Sequence, residues 1–239
     1  MNDLVKENWN TNNIDDFYNI LTDYKRDNKI LWTKNIINTN YDVLAILSSD
    51  LKRITNLILK GNFYSFLDLM PHKYHEDLII NAYLISKIKD FKMQTKYIDK
   101  MQKYIDNWAV VDAIKYSVKG NEDKYIAYAQ KLIKSSTPFV RRIGIRIFFS
   151  FVKKSEYKNV IFQLLDSLHN ENEYYVNMAG AWLLCEMFIH YPEDTFSYLK
   201  NSKTNAFIIN KGISKCRDSY RISDSYKNEL LKYKKQVSK

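Results

Sequence analysis

The chain has 239 residues, enough for one large domain with a continuous core, and its 37 basic and 27 acidic residues give a formal net charge of +10. Only 5 glycines and 3 prolines occur, which leaves few of the turns of a β-sandwich or barrel and excludes a glycine-rich phosphate loop. The charge favours a phosphate-rich partner such as nucleic acid, although an AT-rich genome also raises the lysine and asparagine content.

Cysteine and histidine spacing argues against a metal site. Cys185 and Cys216 form no CxxC pair, and the four histidines form no HExxH motif. Cys185 lies in an apolar helical run, where a buried structural thiol is expected. The chain has neither an apolar leader nor an uninterrupted run of 18 apolar residues, so we expect a soluble cytoplasmic protein without a membrane partner.

Apolar residues recur at steps of three and four along most of the chain, which is the pattern of amphipathic helices. Residues 14–37 predict one or two helices, and another is predicted over residues 49–60. Pro138 and Pro192 stand where a helix would begin. The remaining helices are predicted at 63–70, 75–88, 92–105, 107–118, 121–134, 137–153, 156–168, 173–190, 193–199, 204–216 and 224–235. No segment alternates like a strand.

Paired helices that return at intervals of about 35 to 45 residues are typical of a HEAT-like α-solenoid. We therefore predict an all-α fold in which residues 1–239 form a single HEAT-like repeat domain with a concave basic groove. The last segment, 210–239, is predicted to be helical and carries nine basic and three acidic residues, which is +6 of the total charge. A solenoid with such a groove has no need to dimerise, so we expect a monomer.

Trp108 and Asp112 are four residues apart, which places an indole and a carboxylate on the same face of a predicted helix. Together they can stabilise a developing cation. Taken singly, each has a simpler interpretation. A tryptophan in a helical protein usually belongs to the core, and an aspartate on a helix often pairs with a lysine.

Two later segments add basic and aromatic residues. Arg141 and Arg142 stand near the start of an apolar helix, and Arg146 follows Arg142 by one turn, a spacing that can hold successive phosphates. Tyr175 and Trp182 are seven residues apart, on a similar face of another helix. A double arginine alone is typical of a solvated face, and spacing alone does not define a reaction.

The order of these motifs resembles the AlkD-type DNA alkylation-repair glycosylases, which are HEAT-like repeat proteins. The resemblance rests on Asn-Trp-x-x-x-Asp from residue 107, an arginine about thirty residues later, and Tyr-Tyr-Val-x-Met-Ala-x-Ala-Trp from residue 174. It extends over roughly residues 40–225 and includes the runs 44–54 and 210–221.

The resemblance implies an enzyme that excises N3- and N7-alkylated purines from double-stranded DNA. Such enzymes hydrolyse the N-glycosidic bond without flipping the base into a pocket, in contrast to most glycosylases, and need no metal or cofactor. It implies that Trp108 and Trp182 pack on the sugar and phosphate and that Asp112 stabilises the cationic sugar and positions water. It also implies that Arg142 holds a backbone phosphate. We expect Arg141, Arg146 and Tyr175 to contact DNA as well.

Residues 1–37 depart from the family's usual opening helices, a region that helps to clasp the lesion. This departure leaves a second interpretation open, in which a HEAT-like protein binds damaged, distorted or branched DNA without cleaving it. A third interpretation is a protein-binding solenoid scaffold. It leaves the basic charge and the Trp, Asp and Arg residues unexplained.

Overall fold

The computed structural model describes residues 2–236, and within that range all regular structure is helical. It contains 14 α-helices, short 3₁₀ turns, and one isolated β-bridge between Asp42 and Tyr74. The all-α prediction is therefore confirmed. The chain divides into two compact units between Glu122 and Asp123. The single solenoid domain stays a prediction, and the last three residues of its basic segment, 237–239, lie outside the described residues.

In the first unit, the central helix is α5, which contacts four of the other helices. All its residues except Tyr83 are buried. Among them are the charged or polar side chains of His75, Glu76, Asp77 and Asn81, each of which forms at least one hydrogen bond to a residue outside the helix. The helices of this unit are α1 (Ile14–Asp23), α2 (Ile30–Ile37), α3 (Ser48–Ile58), α4 (Phe63–Leu69), α5 (His75–Ile85), α6 (Phe91–Met101) and α7 (Trp108–Ala113).

The second unit is built around α11, which packs against α9, α10, α12 and α13. The helices here are α8 (Glu122–Ile133), α9 (Pro138–Phe148), α10 (Lys158–Ser167), α11 (Tyr174–His190), α12 (Pro192–Asn201), α13 (Ala206–Asp218) and α14 (Asp224–Leu230). Helix α11 is apolar on most of its circumference, as expected for a helix covered on all sides. Its approach to α13 is close, because a Cβ atom on Gly212 would lie 3.2 Å from the carbonyl oxygen of Ala181.

The predicted helix at 107–118 is too long, since α7 ends at Ala113 and residues 114–118 are not helical. Side chains take the hydrogen bonds that a continued helix would have made. The Ser86 hydroxyl accepts from the backbone amide of Lys115 at 2.8 Å, and the Gln94 side chain donates to the Lys115 carbonyl and accepts from the amide of Ser117. Gln94 belongs to α6 and Ser86 follows α5, so the apolar periodicity of residues 107–118 does not reveal these partners.

Other boundaries differ by a few residues. The helix predicted over 137–153 ends at Phe148, and the one predicted over 224–235 ends at Leu230 before a 3₁₀ turn. Both prolines lie at the first position of a helix, as predicted. Cys185 is buried, as expected, and so is Cys216. No helix within residues 2–236 has the length and apolar character needed to cross a membrane.

Candidate functional site

Trp108 and Asp112 lie in the first unit, in one helix of six residues. Trp108 is the first residue of α7, and Asp112 is in its last turn. Both residues are half-buried. The one-turn spacing therefore places them on the same side of α7, as the sequence predicts.

The indole of Trp108 is held from one side by the end of α2. It packs against a small apolar cluster that contains Ile37, Val43 and Ala45. Its Nε1 donates a hydrogen bond of 3.4 Å to the backbone carbonyl of Ile36. The ring is therefore supported by α2 and by the loop after it, while part of its surface remains accessible.

A buried asparagine starts α7. The Asn107 side-chain oxygen accepts hydrogen bonds from the backbone amides of Ala109 and Val110, at 3.0 and 3.3 Å. Its amide nitrogen donates to Asp106 at 2.8 Å and lies 3.3 Å from Nδ1 of His75. Asn107 thus satisfies the free amides at the start of the helix and is itself fully satisfied.

His75 is neutral at physiological pH. Burial lowers its pKa to about 4, against a smaller opposing effect of Asp106. A neutral imidazole can accept a hydrogen bond at Nδ1, which fits its position beside the Asn107 amide. The local spacing of the sequence gave no indication of this contact, because His75 is 32 residues from Asn107.

In the second unit, Arg141 is engaged in a fork-shaped ion pair. Its Nε and Nη2 donate to the two carboxylate oxygens of Glu171 at 2.7 and 3.0 Å. Its Nη1 donates to the carbonyls of Ser135 and Ser136. Arg141 therefore ties the loop before α9 to the loop before α11, a role that sequence analysis missed because Glu171 is 30 residues away.

Arg142 and Arg146 are buried, with 5% and 8% of their surface exposed. Arg142 donates through Nη1 to the carbonyl of Tyr175. The Arg146 guanidinium contacts two aromatic rings that also contact each other, at 4.2 Å from the centroid of Phe149 and 4.5 Å from that of Trp182. Phe149 is not among the residues predicted from the sequence, although it follows Arg146 by three residues and so lies on the same helical face.

Tyr175 belongs to a row of aromatic side chains at the starts of three helices. Its ring is 5.6 Å from Phe139 of α9 and 5.2 Å from Tyr174, and Tyr174 is 6.0 Å from Phe207 of α13. Tyr174 and Phe207 are exposed, with 55% and 38% of their surface accessible. Of this row, only Tyr175 was predicted from the sequence to contact DNA.

The first unit supplies an indole and a carboxylate, and the second supplies the other five candidate residues: Arg141, Arg142, Arg146, Tyr175 and Trp182. Within residues 2–236, no group of three or more His, Cys, Asp or Glu side chains could hold a metal ion. In the first unit, the chemistry open to these residues is that of a carboxylate on the same side of a helix as an aromatic ring. In the second unit, guanidinium groups lie beside aromatic rings.

Comparison with known proteins gives one finding that identifies a family. None of the curated proteins matches the chain. The family model described as DNA alkylation repair enzyme matches residues 21–215. That segment contains all seven candidate residues and covers more than half of the chain. The chain therefore belongs to the DNA alkylation repair enzyme family.

Proposed function

We propose that the protein is a DNA glycosylase that removes N3- and N7-alkylated purines from double-stranded DNA. The observation that carries this proposal is the arrangement of α7 in a chain of the DNA alkylation repair family. There, the Asp112 carboxylate lies one turn after a half-buried Trp108 whose ring is supported by Ile36 and the adjoining apolar cluster.

In the proposed reaction, the enzyme does not have to activate the leaving group. An N3- or N7-alkylated purine carries a positive charge, so when the bond between C1′ and the base nitrogen breaks, the base leaves with the electron pair as a neutral molecule. Positive charge then develops on the deoxyribose, where the Asp112 carboxylate opposes it. Water adds to C1′ and releases a proton, which completes the hydrolysis. No cofactor takes part.

Aromatic and basic residues would hold the DNA in this proposal. Trp108 and Trp182 would pack on the sugar and phosphate of the lesion, each adding cation–π attraction of roughly 0.5 to 2 kcal/mol to the charged sugar. Arg142 and Arg146 would bind backbone phosphates, and Tyr175 would lie beside them. Arg141 is the weaker candidate, because its donors already serve Glu171 and two carbonyls.

We further propose that the protein is a HEAT-like repeat protein with a basic groove and that it binds DNA as a monomer. The net charge of +10 supports this proposal, because phosphate neutralisation by Lys and Arg supplies most of the affinity of proteins for DNA. Binding should therefore weaken as the salt concentration rises.

Base release from methylated duplex DNA tests the proposed activity. The protein should release 7-methylguanine or 3-methyladenine from DNA treated with a methylating agent, and nothing from the same DNA without treatment. A uracil-containing duplex is the control for chemistry on a neutral base and should also stay intact. If stoichiometric protein released no methylpurine, the glycosylase proposal would be wrong.

A second candidate function is binding of distorted or branched DNA without cleavage. It is favoured by the side chains of Leu31 and Trp32 on α2, which are 73% and 64% exposed, since the Trp32 indole can stack on an unpaired base. This function requires tighter binding to a bulged or branched duplex than to a plain one. It also requires that Asp112→Asn change no activity. Equal affinity for the two kinds of DNA would exclude it.

A further inference from the structure

The short helix α7 depends on its surroundings for its orientation. It has six residues, whereas isolated helices need about 12 to 15 residues to be even marginally stable in water. The orientations of the Trp108 and Asp112 side chains therefore depend on the contacts that fix the start of α7. Those contacts lie among residues that take no part in the proposed chemistry.

Asp106, two residues before α7, accepts hydrogen bonds from three donors on its carboxylate. The Thr39 hydroxyl lies 2.8 Å from both carboxylate oxygens, and the backbone amide of Asn40 donates at 2.7 Å. The Asn107 amide is the third donor, at 2.8 Å. Asp106 thus joins the segment after α2 to the residue that caps α7.

The segment after α2 is held firmly at this place. Helix α2 is followed by Asn38, whose left-handed backbone (φ 53°) turns the chain sharply toward Thr39. Thr39 is buried, and its hydroxyl also accepts from the amide of Tyr41. The Tyr41 hydroxyl in turn donates to the carbonyl of Tyr104 at 3.0 Å. The loop is therefore fastened to residues 104–107 at two points.

The same end of α2 supports the indole of Trp108. Ile36 accepts the indole hydrogen bond, and Ile37 packs in the cluster against which the ring lies. A shift of the α2 end relative to residue 106 would therefore move the support of Trp108, and a shift of Asn107 would move α7 and Asp112 with it.

We propose that Asp106 is a positioning residue for Trp108 and Asp112, acting through the Thr39–Asn40 turn on one side and through Asn107 on the other. The proposal rests on the proposed glycosylase function and assigns to Asp106 no contact with DNA. In Asp106→Asn, one carboxylate oxygen becomes an amide nitrogen that cannot accept a hydrogen bond, so the bond from Asn40 to Oδ2 or the bond from Asn107 to Oδ1 is lost.

Asp166 provides a matched control in the second unit. Its Oδ1 accepts hydrogen bonds from the Tyr198 hydroxyl, at 2.8 Å, and from the backbone amides of Lys203 and Thr204. Asp166 therefore holds a turn by hydrogen bonds, as Asp106 does. If Asp106 only stabilises the fold, Asp106→Asn and Asp166→Asn should reduce the free energy of unfolding and leave the rate of base release per folded molecule unchanged. A positioning role predicts a lower rate for Asp106→Asn alone.

The test combines kinetics with ¹⁹F NMR of protein labelled with 5-fluorotryptophan. Under single-turnover conditions at saturating protein, Asp106→Asn should lower the rate of methylpurine release by about tenfold or more with little change in DNA affinity. Thr39→Val should do the same, and Thr39→Ser, which keeps the hydroxyl, should restore the rate. The Trp108 resonance, assigned from Trp108→Phe, should shift in Asp106→Asn and stay in place in Asp166→Asn.

The NMR measurement keeps this proposal separate from the glycosylase proposal. If the wild-type protein released no base, the proposed function would fail, while a displaced Trp108 resonance in Asp106→Asn would still support the positioning role. An unchanged Trp108 resonance and a wild-type rate in folded Asp106→Asn would overturn the positioning role and leave the glycosylase function intact. An equal loss of rate in Asp166→Asn would also overturn it.

Discussion

The guanidinium of Arg146 lies over the indole ring of Trp182, with its central carbon 4.5 Å from the ring centroid. Phe149 covers the guanidinium from another direction, at 4.2 Å, and its ring is 4.8 Å from that of Trp182. A planar guanidinium can stack flat on an aromatic face, whereas the compact ammonium group of lysine acts on it only as a point charge. Arg146 therefore both orients Trp182 and places a positive charge beside it.

We predict that Arg146→Ala reduces the free energy of unfolding by about 1 to 3 kcal/mol and weakens DNA binding, because a buried cation–π contact and the phosphate contact proposed for Arg146 are lost together. Urea unfolding and fluorescence anisotropy with a labelled duplex measure the two effects. Arg53→Ala, at an exposed position of α3, is the control for the change in net charge. Equal losses of affinity in the two variants would show that Arg146 acts only through its charge.

The buried carboxylate of Asp77 predicts a pH dependence of stability. Its Oδ2 accepts from the amides of Lys73 and Tyr74, and among the described residues its Oδ1 has no hydrogen-bond partner. Burial raises the pKa of Asp77 to about 7. Because folding favours its protonated form, Asp77 makes the wild-type protein less stable as the pH rises from roughly 4 to 7.

We therefore expect Asp77→Asn to become more stable relative to wild type over that pH range and to keep a constant advantage above it. The asparagine cannot ionise, and its oxygen can still accept from both amides. Burial lowers the pKa of His75 to about 4, which removes stability as the pH falls, but this effect is common to both proteins and cancels from the difference. Urea unfolding at about pH 5 and about pH 8 measures the difference, and a constant value would contradict the prediction.

Two glycines of the second unit should respond differently to alanine. A Cβ atom on Gly144 would lie 2.8 Å from the carbonyl oxygen of Ala129 and 2.7 Å from a side-chain carbon of Ile133, so α8 and α9 would have to move apart. On Gly180, the nearest atom would be the flexible end of Ile208, at 3.0 Å. Gly144→Ala should therefore cost about 1 to 3 kcal/mol despite the better helix propensity of alanine. Gly180→Ala should cost less, and thermal unfolding that reversed this order would contradict the packing described.

The helices could largely be predicted from the sequence, because apolar periodicity is a local property and capping residues stand beside the helices that they cap. Asn107 before α7 and Pro138 at the start of α9 are examples. The end of α7 could not be predicted in this way, since it depends on Ser86 and Gln94 from other helices. Apolar periodicity and capping residues do not predict a helix end at which hydrogen bonds from other helices replace those of the helix itself.

The candidate site shows the same limit. The spacing of Trp108 and Asp112 was enough to place them in one helix, but the carboxylate of Asp106 and its partner Thr39 are 67 residues apart. Likewise, nothing near Arg141 in the sequence indicates that its guanidinium group forms an ion pair with Glu171. Long-range pairs of this kind decide which charged residues hold the protein together, and one sequence does not reveal them.

The rate of 7-methylguanine release by Asp112→Asn under single-turnover conditions tests the central proposal most directly. The substrate is a methylated duplex at saturating protein, and affinity for the same duplex is measured in parallel. Asp123→Asn, at an exposed position of α8, is the control for the loss of one negative charge. We predict that Asp112→Asn lowers the rate by about a hundredfold or more and leaves affinity and fold unchanged. Release at the wild-type rate would contradict the role of Asp112.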